Sequence, residues 1–179
     1  MFKLRKNEPR EPLVVAMTAA RLGDRLLVIG CSDPRIVAQL AVKPGLTGRA
    51  CAVDDSAQFT ARAASAAEKE GALLETETAP FHQLPFESGS FDVVAVSHAL
   101  TRVPKDQRAG CLSEASRVLR EGGRCVVIQS GQQAGIVALF RKPDITPAET
   151  EQLMGAAGFR AVHTLADRQG LAFVEGARR

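Results

Sequence analysis

The chain has 179 residues, 45% of them hydrophobic, which is enough for one domain with a single substantial core and too few for two ordinary domains. Its 23 basic and 20 acidic residues give a net charge of +3, so we expect no polybasic face for nucleic acid and no nucleic-acid partner. We expect one domain over residues 1–179, with a tail and cap helix in residues 1–24 and the core in residues 25–179.

The N-terminal segment combines a small basic cluster with the longest apolar run. The basic residues of the cluster are Lys3, Arg5, Lys6 and Arg10. Two glutamates dilute them, and we interpret the cluster as a solvated tail rather than a membrane or phosphate contact. The apolar run, residues 12–20, is shorter than the roughly 20 residues of a membrane span and lacks a signal-peptide cleavage pattern. We therefore expect a soluble, cytoplasmic protein without a membrane span.

The cysteines and histidines show no metal-binding spacing. The four cysteines are far apart, with no CxxC pair: Cys31, Cys51, Cys111 and Cys125. Three of them adjoin segments typical of buried strands, so we predict reduced, buried thiols. The histidines His82, His98 and His163 share no ligand spacing with each other or with the cysteines, and no metal site is predicted.

Apolar runs bounded by Gly, Pro and capping residues predict alternating helices and strands in the first half of the chain. The elements are a helix at 12–22 ending at Gly23, a strand at 26–29, a helix capped by Ser32 or Asp33 that ends near residue 42, a strand at 49–53, a helix capped by Ser56 that reaches residue 70, and a strand at 72–76. The last strand is the most polar, which predicts a position near an edge of the sheet.

The second half continues this alternation and then changes. It predicts a strand at 91–96, a helix at 104–119, a strand at 124–129, a helix that begins at residues 146–147 and stops at Gly158, and strands at 159–165 and 171–175. Alternating strands and helices favour parallel units joined by right-handed crossovers. The short connection at 166–170 can only join the last two strands antiparallel. We predict an α/β fold with a doubly wound, mostly parallel seven-stranded sheet and a C-terminal antiparallel strand.

Three segments together resemble a known family: residues 26–34, residues 84–100 with the sequence LPFESGSFDVVAVSHAL, and residues 117–129. They resemble class I S-adenosylmethionine-dependent methyltransferases, in particular the small-molecule branch that contains the ubiquinone and menaquinone C-methylases. The reversed last strand is similar to that of the same family, and the resemblance covers roughly residues 26–178. It implies a Rossmann-like methyltransferase fold, S-adenosylmethionine as cofactor, and methyl transfer to a small or lipophilic acceptor.

The resemblance also implies which residues hold the cofactor. Gly30, Cys31 and Ser32, in the loop after the first strand, would approach its aminoacyl end. Asp54, at the end of the second strand, matches the carboxylate that binds the ribose hydroxyls. An acidic residue before a helix also serves as a cap, so a structural role for Asp54 stays open.

The chain departs from the family pattern at four positions in two motifs. Val28 stands at the acidic position, Ser32 and Pro34 at two of the glycines, and Pro80 at an acid near the adenine. A Cβ at residue 32 and a proline ring at residue 34 alter the backbone that meets the cofactor. Asp33 would satisfy the following helix N-terminus from within the chain. A capped helix start without a ligand is as well supported as a functional loop.

Four further residues complete the predicted site. Phe81 and His82 would supply backbone donors and a stacking surface for adenine, although a plain core aromatic also explains Phe81. Ser97 and His98 follow the fourth strand, where family members contact the methionine part of the cofactor. His98 is the candidate catalytic base where the acceptor must lose a proton. A hydrogen-bonded structural histidine is the alternative.

Substrate access is predicted to depend on residues 129–145, which include an apolar run at 136–140. This segment is interpreted as a small lid or exposed contact surface, with a hydrophobic helix packed on the sheet as the simpler alternative. A small lid favours a lipophilic acceptor, or a protein partner or homodimer that completes the pocket. The departures at the cofactor positions leave a second function open, a non-catalytic binding or regulatory module that has lost the cofactor.

Overall fold

The computed structural model describes residues 11–131 and 144–179, which form one sheet flanked by helices. The strands are β1 Arg25–Ile29, β2 Arg49–Asp54, β3 Glu75–Thr78, β4 Phe91–Ser97, β5 Leu119–Ser130, β6 Arg160–Arg168 and β7 Leu171–Ala177. The described α-helices are α1 Leu13–Thr18, α2 Pro34–Ala41, α3 Ala57–Lys69, α4 Arg108–Val118 and α5 Pro147–Ala156.

The seven strands lie in the order β3-β2-β1-β4-β5-β7-β6. The five strands from β3 to β5 are parallel, and β7 runs antiparallel to both β5 and β6. The strand order reverses between β1 and β4, which is the position where open α/β sheets bind ligands. The predicted mostly parallel sheet with an antiparallel C-terminal strand is confirmed.

The core lies on both faces of the sheet, because side chains alternate along each strand. In β1, Leu27 and Ile29 belong to one apolar cluster, which includes residues of α4 and α5. Leu26 and Val28 belong to a second cluster, which includes residues of α1, α2 and α3. The continuous apolar run of β1 is therefore buried on both sides, as expected for a doubly wound sheet.

Some element boundaries differ from the predicted ones. Helix α1 ends at Thr18, where Ala19 adopts a left-handed conformation with φ 50°, rather than at Gly23. Strand β3 begins at Glu75 instead of residue 72. Its edge position is confirmed because, among the described strands, it pairs only with β2. The predicted helix at 104–119 starts with a 3-10 turn, Lys105–Gln107. These shifts occur at polar or loop-flanked ends, where burial does not fix the boundary.

Two predictions fall outside the described residues, namely the basic cluster within residues 1–10 and the apolar run at 136–140. Within the described part of the chain, every helix is too short or too polar to cross a bilayer. The four cysteines are free and buried, as predicted.

Candidate functional site

The predicted site lies where the carboxyl ends of β1, β2 and β4 meet. Ile29 is in register with Val53 on one side and with Val96 on the other. The chain after β1 stays close to this edge, since the Gly30 N–H donates to the Val53 carbonyl at 2.9 Å. The sheet thus brings Gly30, Cys31, Asp54 and Ser97 together, although they come from three separate segments.

Position 30 requires glycine, because the loop after β1 packs closely against the end of β4. Its φ is +96°, a conformation that L side chains rarely adopt. A Cβ at this position would lie 2.2 Å from the Ser97 carbonyl oxygen and 3.2 Å from the Ala99 Cβ. With any other residue type at position 30, the loop after β1 could not approach the end of β4 this closely.

Asp54 is the most completely bonded side chain of the site. It is fully buried. Its Oδ2 accepts from the Cys31 N–H at 2.6 Å, and its Oδ1 accepts from the Ser56 N–H at 2.9 Å. The Arg102 guanidinium donates to both oxygens, with Nη1–Oδ2 at 2.5 Å and Nη2–Oδ1 at 2.9 Å. Burial by itself would raise the pKa of Asp54, but Arg102 and the two backbone donors outweigh it and hold the pKa below its usual value.

Arg102 is a residue of the site that the sequence analysis did not identify. It follows a 3-10 turn, Ala99–Thr101, and its side chain is 22% exposed. Besides Asp54, its guanidinium contacts the Asp55 carboxylate. It also lies over the Phe59 ring, 4.8 Å from the centroid, and over the Phe81 ring, 5.4 Å from the centroid. No motif marks this position, because the contacts depend on how two distant loops meet.

Phe81 and His82 occupy different environments. Phe81 is 1% exposed, belongs to the core and also presents its ring to Arg102, so the core interpretation of this residue is correct but incomplete. His82 is exposed, and its Cβ is close to Gly110 of α4. Of the two, only Phe81 has a ring contact with the Asp54–Arg102 pair.

Ser97 and His98 lie at the end of β4. Ser97 is fully buried, and its Oγ has no hydrogen-bond partner in the described part of the chain. His98 has a left-handed backbone with φ 53°, and its backbone N–H donates to the Ile128 carbonyl at 2.9 Å. Burial lowers the pKa of the His98 imidazole, and the negative charge of Asp33 only partly opposes this effect. Burial therefore favours the neutral imidazole over the imidazolium.

A residue of the loop between β1 and α2 caps the N-terminus of α2. Asp33 caps α2, with its Oδ1 accepting from the Arg35 N–H at 3.0 Å, and Pro34 is the first helical residue. The predicted internal cap is confirmed. Cys31 is buried, and its pKa is raised to about 12, mainly by that burial. Ser32 is half-buried beside it. Among the described residues, no group of three or more His, Cys, Asp or Glu side chains could hold a metal ion.

Comparison with known proteins identifies the same family that the sequence resembles. A family model described as a methyltransferase domain matches residues 27–127. The chain is 29% identical over 123 residues to the ubiquinone/menaquinone biosynthesis C-methyltransferase UbiE of Sinorhizobium fredii, a match that covers 67% of this chain and 47% of that protein. The chain spans between 30% and 49% of the length of the first four curated relatives that it matches.

Solved structures support the fold independently. A SAM-dependent methyltransferase from Aquifex aeolicus aligns with a TM-score of 0.78 at 16% identity, over 93% of this chain and 88% of that one. The [4+2]-cyclase SpnF aligns with a TM-score of 0.73 at 17% identity, over 93% of this chain and 78% of that one. At these identities the likeness concerns the fold alone.

Proposed function

The chain belongs to the class I S-adenosylmethionine-dependent methyltransferases, and we propose that it binds S-adenosylmethionine and transfers its methyl group to a small or lipophilic acceptor. One observation carries the proposal. The Asp54 carboxylate lies at the end of β2, next to the topological switch point, and accepts the Cys31 N–H of the loop after β1. A carboxylate at the end of this strand is where nucleotide-binding α/β sheets hold ribose hydroxyls.

The side chains present match the chemistry of an adenosyl group. Asp54 would offer a carboxylate for a diol. The rings of Phe59 and Phe81 both contact the Arg102 guanidinium that binds Asp54, and they would serve as stacking surfaces. The buried Ser97 Oγ, which has no partner among the described residues, is a further donor or acceptor at the same edge. In the described conformation Arg102 engages Asp54 and both rings. These groups fit an adenosyl ligand when the Arg102 side chain is displaced.

Each residue would then have a distinct role. The cofactor supplies a methyl group on a positively charged sulfur. Asp54 would accept from the ribose hydroxyls, and Phe81, with the His82 backbone, would bind the adenine. Gly30, Cys31 and Ser32 would meet the aminoacyl end through their backbone, with Ser97 nearby. Holding the acceptor in line with the methyl group would provide much of the rate.

His98 is the residue we propose as base. Burial lowers the pKa of its imidazole and so favours the neutral ring, which would take a proton from an acceptor that must lose one. An acceptor that is already a nucleophile would not need it. A His98→Gln variant therefore distinguishes these acceptor types by its effect on the rate.

The acceptor class rests on the relatives. The relative from Sinorhizobium fredii is named as a C-methyltransferase of ubiquinone and menaquinone biosynthesis. We infer that a small or lipophilic acceptor suits this chain, and a short-chain quinol is the first compound to test. Transfer of a labelled methyl group to the quinol would support this inference, and labelling of other small acceptors only would redirect it.

Isothermal titration with S-adenosylmethionine and, separately, S-adenosylhomocysteine tests the binding step. We expect saturable binding by the wild type and its loss in Asp54→Asn. Asp92→Asn is the matched control, because Asp92 also binds a backbone N–H and arginines, but at the other end of the sheet. Both variants are measured at a temperature where circular dichroism shows them folded. Equal binding by Asp54→Asn and the wild type would contradict the proposed role of Asp54.

The second candidate function is a non-catalytic binding or regulatory module. The occupation of Asp54 by Arg102 favours it, as do the departures at Val28, Ser32, Pro34 and Pro80. This candidate predicts no saturable binding of either adenosyl compound at millimolar concentration. It also predicts that a protein partner, or a second copy of the chain, binds equally well to the wild type and Asp54→Asn.

A further inference from the structure

We propose that the Arg102 side chain is an internal occupant of the ribose and adenine site, and that its displacement sets the affinity of this chain for adenosyl ligands. This inference rests on the proposed function, because it concerns regulation of the same site. It goes further in naming a single residue of the chain as the competitor.

Arg102 takes up the remaining hydrogen-bond capacity of Asp54. An ionised carboxylate has about four acceptor positions. Two accept from the Cys31 and Ser56 N–H groups, and the other two accept from Nη1 and Nη2 of Arg102. The two backbone donors are fixed by the ends of β1 and β2, whereas the arginine donors belong to a flexible side chain. A ligand hydroxyl can therefore bond Asp54 fully only when Arg102 leaves.

Arg102 also covers the aromatic rings that would stack on a base. A guanidinium is planar and stacks on aromatic faces much as a base does. The Arg102 guanidinium lies 4.8 Å from the Phe59 centroid and 5.4 Å from the Phe81 centroid. Phe81 is the residue that the family resemblance assigns to adenine. The same guanidinium thus engages both the carboxylate and the ring that an adenosyl ligand would use.

A ligand can displace the Arg102 side chain because that side chain reaches solvent. The Arg102 side chain is 22% exposed, whereas Asp54 is fully buried, so the arginine has a route to solvent and the aspartate has none. A guanidinium that leaves regains its hydration. Replacing it by neutral hydroxyls removes a charge-assisted pair from Asp54, so the exchange has a cost that weakens ligand binding.

The cost of displacing Arg102 lowers the apparent affinity of the protein for an adenosyl ligand. When only a fraction of the protein is competent to bind, the apparent Kd equals the intrinsic Kd divided by that fraction. A variant without the arginine side chain is competent throughout. The ratio of the two dissociation constants therefore reports how rarely Arg102 leaves the site of the wild-type protein.

The test is calorimetric titration of S-adenosylhomocysteine into the wild type, Arg102→Ala and Arg102→Gln. We expect Arg102→Ala to bind at least tenfold more tightly than the wild type, and Arg102→Gln to fall between them because its amide still donates one hydrogen bond to Asp54. Arg25→Ala is the matched control, since Arg25 pairs with both oxygens of Asp92 at the other end of the sheet. Its affinity should equal that of the wild type.

A second measurement does not depend on a variant that binds. In the 1H–15N spectrum of the wild type, the Arg102 Nε–H signal, assigned by its absence from Arg102→Ala, should shift when S-adenosylhomocysteine saturates the protein. The inference is overturned if the folded Arg102 variants bind no more tightly than the wild type, or if this signal stays unchanged at saturation.

The outcomes separate this inference from the proposed function. Equal, saturable binding by the wild type and Arg102→Ala would leave the function standing and refute the role of Arg102. Absence of binding in the wild type with binding in Arg102→Ala would support that role and indicate that the native chain is closed to the cofactor. Absence of binding in every variant at millimolar ligand would refute both.

Discussion

The Arg102 guanidinium binds both oxygens of Asp54, with Nη1–Oδ2 at 2.5 Å and Nη2–Oδ1 at 2.9 Å, across 48 positions of sequence. The pair joins the end of β2 to the turn after β4, beside the point where the strand order reverses. Because Asp54 also binds two backbone N–H groups, one carboxylate fixes three segments of the chain.

Replacing Asp54 with Asn should destabilise the protein. The change removes the buried carboxylate that Arg102 binds, leaving Asp55 as its remaining partner, and weakens two backbone hydrogen bonds. We expect the free energy of unfolding to fall by about 2–4 kcal/mol, which is no more than the cost of breaking a fully buried pair because Arg102 is partly exposed. Urea denaturation of both proteins at pH 7 measures the difference.

The same pair predicts a pH dependence. The pKa of Asp54 is lower in the folded protein than its ordinary value, so its stabilisation is fully present above about pH 4 and is lost as the pH falls through the folded pKa. The stability difference between the wild type and Asp54→Asn should therefore be constant above about pH 4 and narrow over the interval below it. A difference that stays constant over this interval would contradict a charged Asp54.

Gly30→Ala should destabilise the protein more than the same substitution at a glycine with open space around it. Its Cβ would lie 2.2 Å from the Ser97 carbonyl oxygen, so either β4 or the loop after β1 must shift. We expect a loss of more than about 2 kcal/mol in the free energy of unfolding. Gly71→Ala is the control, because Gly71 also has a positive φ, +73°, but no atom within 4 Å of its Cβ position. The free energy of unfolding of this control should fall by only about 1 kcal/mol. Equal losses in the two variants would show that the close approach at Gly30 does not add to the cost of the substitution.

Asp92→Asn should destabilise the opposite end of the sheet without affecting the site. Asp92 accepts from the Arg25 N–H at 2.8 Å and from the side chains of Arg25 and Arg120, which hold the pKa of its carboxyl well below its usual range. We expect a loss of about 1–2 kcal/mol at pH 7, because the arginines are partly exposed and water screens the pairs. The loss should shrink in acid, and binding of S-adenosylhomocysteine at a temperature where the variant is folded should not change.

His98 should titrate below the ordinary histidine pKa of 6.5. Burial disfavours the charged imidazole in the folded protein, whereas the unfolded chain protonates normally. Stability should therefore decline as the pH falls below about 6.5, by the contribution of this residue. The 1H–13C signals of the imidazole, assigned with His98→Gln, give the pKa, and a value above 6.5 would show that Asp33 outweighs burial.

The fold could be predicted because its central strands are apolar on both faces. The runs of β1 and β4 have few alternatives to a covered parallel sheet, and both are buried as expected. The predicted start of strand β3 at residue 72 lies about three residues before the observed one, because a polar edge strand carries little hydrophobic pattern.

The site could be predicted only in part. Asp54, Gly30 and Ser97 follow strands, so their meeting at one edge follows from the parallel sheet. Arg102 could not be identified this way, because its partners lie 48 and 47 positions away and its position depends on a 3-10 turn. The departures at Ser32 and Pro34 were visible in the sequence, but the side chain that occupies Asp54 was not.

The four buried thiols should be unreactive in the folded protein. Burial raises the pKa of Cys31 and Cys111 to about 12 and of Cys51 to about 11, and it also raises the pKa of Cys125, so almost no thiolate exists at pH 8. A thiol reagent such as Ellman's reagent should label the native protein no faster than the chain unfolds. All four cysteines should react at once in denaturant, which provides the control. Rapid labelling of Cys31 alone in the native state would instead show that the loop between β1 and α2 opens without global unfolding, and that the backbone closest to the proposed cofactor site is accessible to solvent.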